Sequence, residues 1–323
     1  MRPTAWLAGH LFYNIRQNAI LVESVAPLVE YVFSMGWAER FFFVRYMEHG
    51  PHFRLRFCGE PAILESRLKP FLIHHLNAYL GRRPSQRPEE GLMGDRASTW
   101  YPNNTLRFLP YEPEVKRYGG PHGMAVAEKV FHHSSRAVLR LLAECPDWDY
   151  ERALGAAIQL HLGQAYALDF TLQELQAFAG FIAKGWLSSS FEAVDHGKDD
   201  PKRKEEKVMR AFAEAFEQQK EGLLAFIRSL WQALENKAEF GDVWFMKWLE
   251  ATRETSRSLN GLYRDRRLQL PWVTPQSGSR HNRFEPLWPI LGAYIHMTNN
   301  RLGILNRDES FLGYLLGQTL SQL

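Results

Sequence analysis

The chain has 323 residues, 45% hydrophobic and 23% charged, which is ample apolar material for a sizeable core. A formal net charge of +3, with no basic run dense enough to follow a phosphate backbone, argues against direct nucleic-acid binding. No apolar run reaches the roughly eighteen residues a membrane span needs, and Cys58 and Cys145 form neither a CxxC pair nor a metal set. The N-terminus enters a strand-like stretch without the charged and apolar regions of a signal peptide. A soluble, cytoplasmic protein with reduced thiols is the expectation.

Taken in chain order, the first third mixes strands and helices. Trp6 to Asn14 is aromatic-rich and extended. Ile20 to Met35 has helical spacing, with Leu21, Val25, Leu28 and Val32 on one side. Arg40 to Met47 and His52 to Cys58 read as strands. Between them, Glu48-His49-Gly50-Pro51 is a turn, so the pair predicts an antiparallel hairpin. Pro61 to Leu80 is helical, with its proline tolerated in the first turn. Residues 82–104 are polar and punctuated by proline, and read as a loop or partly disordered insertion. Thr105 to Leu109 is another short strand, and Tyr111 to Pro121 is a loop dense in Pro, Gly, charge and aromatic groups.

Beyond Pro121 the pattern is nearly all helical. Met124 to Ala143 and Tyr150 to Ala167 are apolar at helical spacing, and Thr171-Leu172-Gln173-Glu174 is a capping box. Residues 191–200 form a charged linker, with Asp200 and Pro201 at the N-cap and first position of the next helix. Further helices run to about 236, over about 240–267 and over 285–304, with a loop at 268–283. Asn306-x-x-Glu309 opens the last one. No internal repeat and no long flexible linker occurs. The expectation is an α+β fold in one domain, 1–323: an antiparallel sheet from a mixed part, 1–120, packed with a mainly helical part, 121–323.

Three constellations carry chemistry. Side chains alternate in a strand, so His52, Arg54 and Arg56 share one face, opposite Phe53, Leu55 and Phe57. Two neighbouring guanidiniums suit an anion, because the planar fork matches a carboxylate; on spacing alone, arginines paired with structural carboxylates, or a solvated sheet face, are the somewhat commoner explanation. The loop Tyr111–Gly120 gathers Glu112, Glu114, Arg117 and Tyr118, stiffened by Pro113. It can bind a zwitterion, or pair with itself through Glu114 and Arg117. In the helix around His296, Gly292, His296, Asn299, Asn300 and Gly303 form one stripe; Leu287, Leu291, Tyr294, Thr298 and Leu302 form an apolar one. That suits a helix facing a cavity with an imidazole as acid or base, or a hydrogen-bonded structural histidine. His74-His75 and His132-His133 have no ligand spacing, and no dinucleotide fingerprint, P-loop or nucleophile elbow is present.

Phe42-Phe43-Val44-Arg45-Tyr46 with Gly50-Pro51-His52-Phe53-Arg54-Leu55-Arg56, then Tyr111-Glu112-Pro113-Glu114-Val115-x-Arg117-Tyr118-Gly119-Gly120, then His296-Met297-x-x-Asn300-Arg301-Leu302, occur in that order. Together they resemble the elimination domain of class I lanthipeptide dehydratases, also found as free-standing proteins in thiopeptide-type bacteriocin pathways. The middle motif is the most specific, and the likeness is lost only over residues 82–104 and 190–210. The resemblance implies a lyase. A partner protein, using glutamyl-tRNA, esterifies Ser or Thr of a ribosomally made precursor peptide; this domain then expels glutamate, leaving dehydroalanine or dehydrobutyrine.

The family's catalytic positions correspond here to Arg54, Arg56, Arg117 and His296. Arg56 would stabilise enolate charge, Arg54 and Arg117 would hold the glutamyl carboxylate, and His296 would move the proton. Glu112 or Glu114 would take the ammonium, and His52, Tyr118, Asn299 and Asn300 would be substrate contacts. No cofactor or metal is implied, and a homo-oligomer is compatible with the sequence. The same fold serves pyridine-forming cyclases of thiopeptide pathways, and a non-catalytic peptide-binding subunit would use the same groove.

Overall fold

The computed structural model describes residues 3–14, 17–87, 100–191, 200–238, 240–273 and 284–323. The expected loop 82–104, linker 191–200 and loop 268–283 therefore fall partly outside the described residues. The chain divides into two compact units: Met1–Pro113 with Phe131–Trp148, and Glu114–Val130 with Asp149–Leu323. The fold class is α+β, with strands in the first unit and helices dominating the second.

Among the described residues the first unit carries one antiparallel sheet of β1 Ala5–Phe12, β2 Arg40–Tyr46, β3 His52–Gly59 and β4 Thr105–Phe108, in the order β2-β3-β1-β4. The expected hairpin forms, with Phe43 opposite Leu55 and Tyr46 opposite His52. β1 lies along the other side of β3 and sets Leu11 opposite Phe53 and His10 opposite Arg54. One face carries Leu7, Leu11, Phe41, Phe43, Phe53, Leu55 and Phe57, none more than 6% exposed. Burying such side chains contributes about 1.5–3 kcal/mol each. On this face Arg45 bonds back to helix α1, residues 17–34, donating to Gln17 Oε1 at 3.2 Å and Asn18 Oδ1 at 2.6 Å.

Periodicity alone predicts regular helices at residues 20–35 and 61–80. The structure instead places a π turn in each: Leu21–Val25 in α1, and Leu64–Leu68 in α2, residues 61–82. A proline follows each turn, Pro27 and Pro70. A proline ring clashes with the carbonyl four residues back. Widening the preceding turn, so that Ala26 N–H donates to Leu21 O and Lys69 N–H to Leu64 O, relieves the crowding.

β2 is an edge strand, and helix α3, Gly120–Glu144, closes it. Phe43 N–H donates to Ser135 Oγ at 3.1 Å. His132 Nδ1 lies 3.1 Å from both the amide nitrogen and the carbonyl oxygen of Phe41, and serves one or the other according to its tautomer.

In the second unit the first turns of α3 are followed by α4 Tyr150–Ala167, α5 Leu172–Trp186, α6 Pro201–Glu235, α7 Val243–Arg264, α8 Trp288–Leu302 and α9 Asn306–Leu320. α9 packs along α5 and against α6, and α8 touches α4, α5 and α9. Gly313 sets the α9–α5 approach: a Cβ there would lie 2.7 Å from Ala183 N and 2.9 Å from Ala179 O.

The capping box forms as expected. Glu174 N–H donates to Thr171 Oγ1 at 3.1 Å, and Thr171 N–H donates to Glu174 Oε2 at 2.8 Å. Asp200 and Pro201 occupy the N-cap and first position, but the aspartate side chain makes no capping bond. At α9 the N-cap is Leu305, so Asn306 is the first helical residue and Glu309 does not cap but turns inward. Among the described residues no helix is long and apolar enough to cross a membrane.

Candidate functional site

In the first unit the face opposite the phenylalanines opens on a cleft of about 370 Å³. His10, His52, Arg54, Arg56, Glu48 and Glu112 line it, with His49, Tyr101 and Pro110 among the other walls. The turn between β2 and β3 builds one side. His49 and Gly50 take positive φ, 60° and 105°, which folds the chain tightly enough to bring Glu48 beside Arg54.

Arg54 is fixed on three sides. Its Nε–H donates to His52 Nε2 at 3.3 Å, and one terminal nitrogen donates to Glu48 Oε2 at 3.1 Å. Its guanidinium carbon sits 3.4 Å from the centre of the Tyr46 ring, a cation–π stack. Arg56 stacks in the same manner, 4.4 Å from the Tyr111 ring and 5.2 Å from Phe42. Aromatic faces thus help to hold both guanidiniums, and Glu48 also pairs with that of Arg54.

His52 is 1% exposed and lies behind Arg54. Its Nδ1 is 2.8 Å from Gly50 O, so Nδ1–H donates there and the Nε2 lone pair receives Arg54. Burial lowers its pKa to about 4, which keeps the ring in this acceptor form. His10, cross-strand from Arg54, stacks on His52 at 5.1 Å. Burial, with the nearby His52 and both arginines, lowers its pKa to about 3. Its Nε2 is buried without a hydrogen-bond partner among the described residues.

The loop Tyr111–Gly120 is divided between the units: Glu112 lines the first-unit cleft, while Glu114, Arg117 and Tyr118 belong to the second. Arg117 pairs with Glu114 at 3.5 Å, both partly exposed, which is the self-paired arrangement of this loop. Tyr118 is buried and stacks on Tyr294 of α8 at 5.9 Å. Gly119 and Gly120 follow with φ of 81° and 89°, a left-handed backbone that glycine tolerates best.

In the second unit His296 is the head of a buried relay. Its Nδ1 is 2.6 Å from Glu309 Oε1, and Glu309 is 0% exposed. The other carboxylate oxygen accepts from Asn299 Nδ2 at 3.2 Å, and Asn299 Oδ1 lies 2.9 Å from His161 Nε2. Burial lowers the pKa of His161 to about 4, so it is neutral and its Nε2–H donates to Asn299. Trp186 stacks on the His296 ring at 4.5 Å. A carboxylate on Nδ1 assigns the proton to that nitrogen and leaves Nε2 as the proton-accepting atom.

The stripe Gly292, His296, Asn299, Asn300 and Gly303 is therefore not one cavity-facing surface. Gly292 packs on Ile182 and Phe181, and Asn299 is fully buried in the relay. His296 and Asn300 are the partly exposed side chains of the set. Sequence reasoning missed His10, Glu48 and Glu309. The signal for Glu48 was its position four residues before His52 across a tight turn; the other two required the tertiary pairing.

The family model of the lantibiotic biosynthesis dehydratase C-terminal region matches residues 6–320. The subtilin biosynthesis protein SpaB of Bacillus subtilis is 35% identical over 134 residues, 41% of this chain and 11% of that protein. The match thus spans only about a tenth of that relative. The pyridine synthase TbtD, from thiomuracin biosynthesis, is similar with a TM-score of 0.76 over 98% of both chains at 15% identity. The tRNA-dependent lantibiotic dehydratase MibB from Microbispora sp. 107891 gives 0.57 at 21% identity, over 98% of this chain and 28% of its own. TsrL gives 0.59 at 18% identity, over 99% and 95%. These structural likenesses establish a common fold. On the near-complete match to the family model, the chain belongs to the lantibiotic biosynthesis dehydratase C-terminal family.

Proposed function

We propose that this protein is a lyase that eliminates glutamate from glutamylated Ser or Thr of a precursor peptide, and that a separate glutamyl-tRNA-dependent partner installs the glutamyl ester. The observation that carries this is the pair Arg54 and Arg56 on one face of β3, each stacked on an aromatic ring, at a cleft of about 370 Å³.

The chemistry requires what these residues offer. The α-proton of a peptide residue is very weakly acidic, and its loss places negative charge on the adjacent carbonyl oxygen. A preorganised cation stabilises that charge, the role assigned to Arg56; such a donor contributes about 2.7–4 kcal/mol in comparable sites. His296 Nε2, set as acceptor by Glu309, takes the proton. The Cβ–O bond then breaks, the Cα–Cβ double bond forms, and glutamate leaves as a carboxylate that needs no general acid. Arg54 and Arg117 serve the glutamyl carboxylate. Asn299 acts by holding Glu309 rather than by touching substrate, and His52 by holding Arg54.

A second reading is favoured by the match to TbtD along the whole of both chains: joining two dehydroalanines by a formal [4+2] cycloaddition to form a pyridine. That chemistry has no use for a glutamate-binding arginine set. Mass spectrometry on two substrates separates the readings. Release of glutamate from a glutamylated peptide supports elimination, while conversion of a peptide bearing two dehydroalanines with loss of its leader supports cyclisation.

A further inference from the structure

The cleft in the first unit holds both signs of charge. Arg54 and Arg56 bring two cations, and Glu48 and Glu112 bring two carboxylates. The buried imidazoles of His10 and His52 stay neutral, as their lowered pKa values of about 3 and 4 require. A lining of this kind does not favour a plain anion. A carboxylate arriving at Arg54 meets Glu48, whose Oε2 already lies 3.1 Å from that guanidinium. Like charges at such spacing repel unless the ligand carries a cation of its own.

Glu48 is placed to receive that cation. One carboxylate oxygen is fixed by Arg54, whose own position is set by His52 and the Tyr46 ring. The other oxygen makes no hydrogen bond among the described residues, and the side chain is 59% exposed. The carboxylate is thus oriented yet accessible, the arrangement that lets a weak surface pair rearrange around a ligand at little cost.

We propose that Glu48 is a specificity-determining residue that accepts the ammonium of an α-amino-acid moiety, so that the cleft selects a zwitterionic glutamyl group over a simple carboxylate. This deepens the elimination reading, because a glutamyl ester linked through its α-carboxyl retains both a free ammonium and a γ-carboxylate.

The test uses two small probes that differ only in the ammonium: glutamate α-methyl ester and monomethyl glutarate. Binding of each to the full chain is followed by NMR chemical-shift titration. The wild-type protein should bind the amino ester about fivefold or more tighter, consistent with one additional charge-assisted contact. Glu48→Gln should bring the two affinities within about twofold, and Glu112→Gln should keep most of the difference. Equal or undetectable binding of both probes by the wild type overturns the proposal. So does a preference that survives Glu48→Gln, or one lost in Glu112→Gln alone. A Glu48-dependent preference without release of glutamate from a glutamylated peptide would overturn the elimination reading and leave this one standing. Elimination without that preference would do the reverse.

Discussion

His296 Nδ1 and Glu309 Oε1 lie 2.6 Å apart, with the carboxylate fully buried and its second oxygen bonded to Asn299. A carboxylate at Nδ1 selects the tautomer that carries its proton there and turns the Nε2 lone pair outward from that bond. His296→Ala should slow elimination by roughly 10²–10⁴-fold, the usual contribution of a positioned acid–base group. Glu309→Gln keeps the shape but not the charge. It should slow elimination by at least about tenfold and shift the pH–rate profile, whereas a purely structural carboxylate would leave that profile unmoved. Accumulation of glutamylated peptide, followed by mass spectrometry on variants with unchanged circular dichroism, is the measurement.

Arg56→Ala removes the cation assigned to enolate charge and should cut elimination by about 10²–10³-fold. Arg56→Lys should recover little, because an ammonium lacks the flat face that stacks on Tyr111 at 4.4 Å. Glutamate release at the wild-type rate from either variant would remove Arg56 from the mechanism.

Stability should depend on pH through three buried imidazoles and the half-buried His132. His10, His52, His132 and His161 have pKa values lowered to about 3, 4, 4 and 4, with burial the largest cause in each. In the unfolded chain they titrate near 6.5. Between these values the unfolded state binds protons that the folded state refuses, so stability rises with pH there. It is complete above about pH 6.5 and declines as pH falls toward 4. Urea midpoints at pH 7.5, 6 and 5 should fall in that order. His161→Gln, which retains a donor for Asn299, should flatten part of the slope.

Gly313→Ala should destabilise the second unit by about 1–3 kcal/mol, as overpacking does. The new methyl would meet backbone atoms of Ala179 and Ala183, which cannot rotate away. Glu309 lies one turn earlier on α9, so the same variant should also lower activity more than its loss of melting temperature accounts for. Wild-type turnover in this variant, measured well below its melting point, would show that the relay tolerates a displaced α9.

The alternation of Phe53, Leu55 and Phe57 against His52, Arg54 and Arg56 was legible because strand periodicity is local. His10 was not, since its place beside Arg54 depends on the register of β1 with β3, which no short window contains. Glu309 was hidden by its own spacing: Asn306-x-x-Glu309 has the form of a helix start, and the competing bond to His296 comes from another helix. His52 was legible as a member of the face but not in its task, because burial rather than spacing decides that it serves Arg54. The π turns lay within reach, since Pro27 and Pro70 sit where a regular helix would crowd a carbonyl. Periodicity averages over such a turn and does not see it.

The closed edge of β2 bears on how the protein behaves in a crowded solution. Bare strand margins recruit other strands, and the segment Phe41-Phe42-Phe43-Val44 is as adhesive a template as a sheet can offer. Ser135 and His132 occupy the amide positions at which such recruitment would begin. The opposite margin, β4, spans four residues and displays exposed Arg107, two features that discourage pairing. Replacing both Ser135 and His132 with alanine should therefore show itself first as turbidity and lost soluble yield rather than as lost catalysis. The same pair of side chains makes a phenylalanine-rich hairpin compatible with a monodisperse protein.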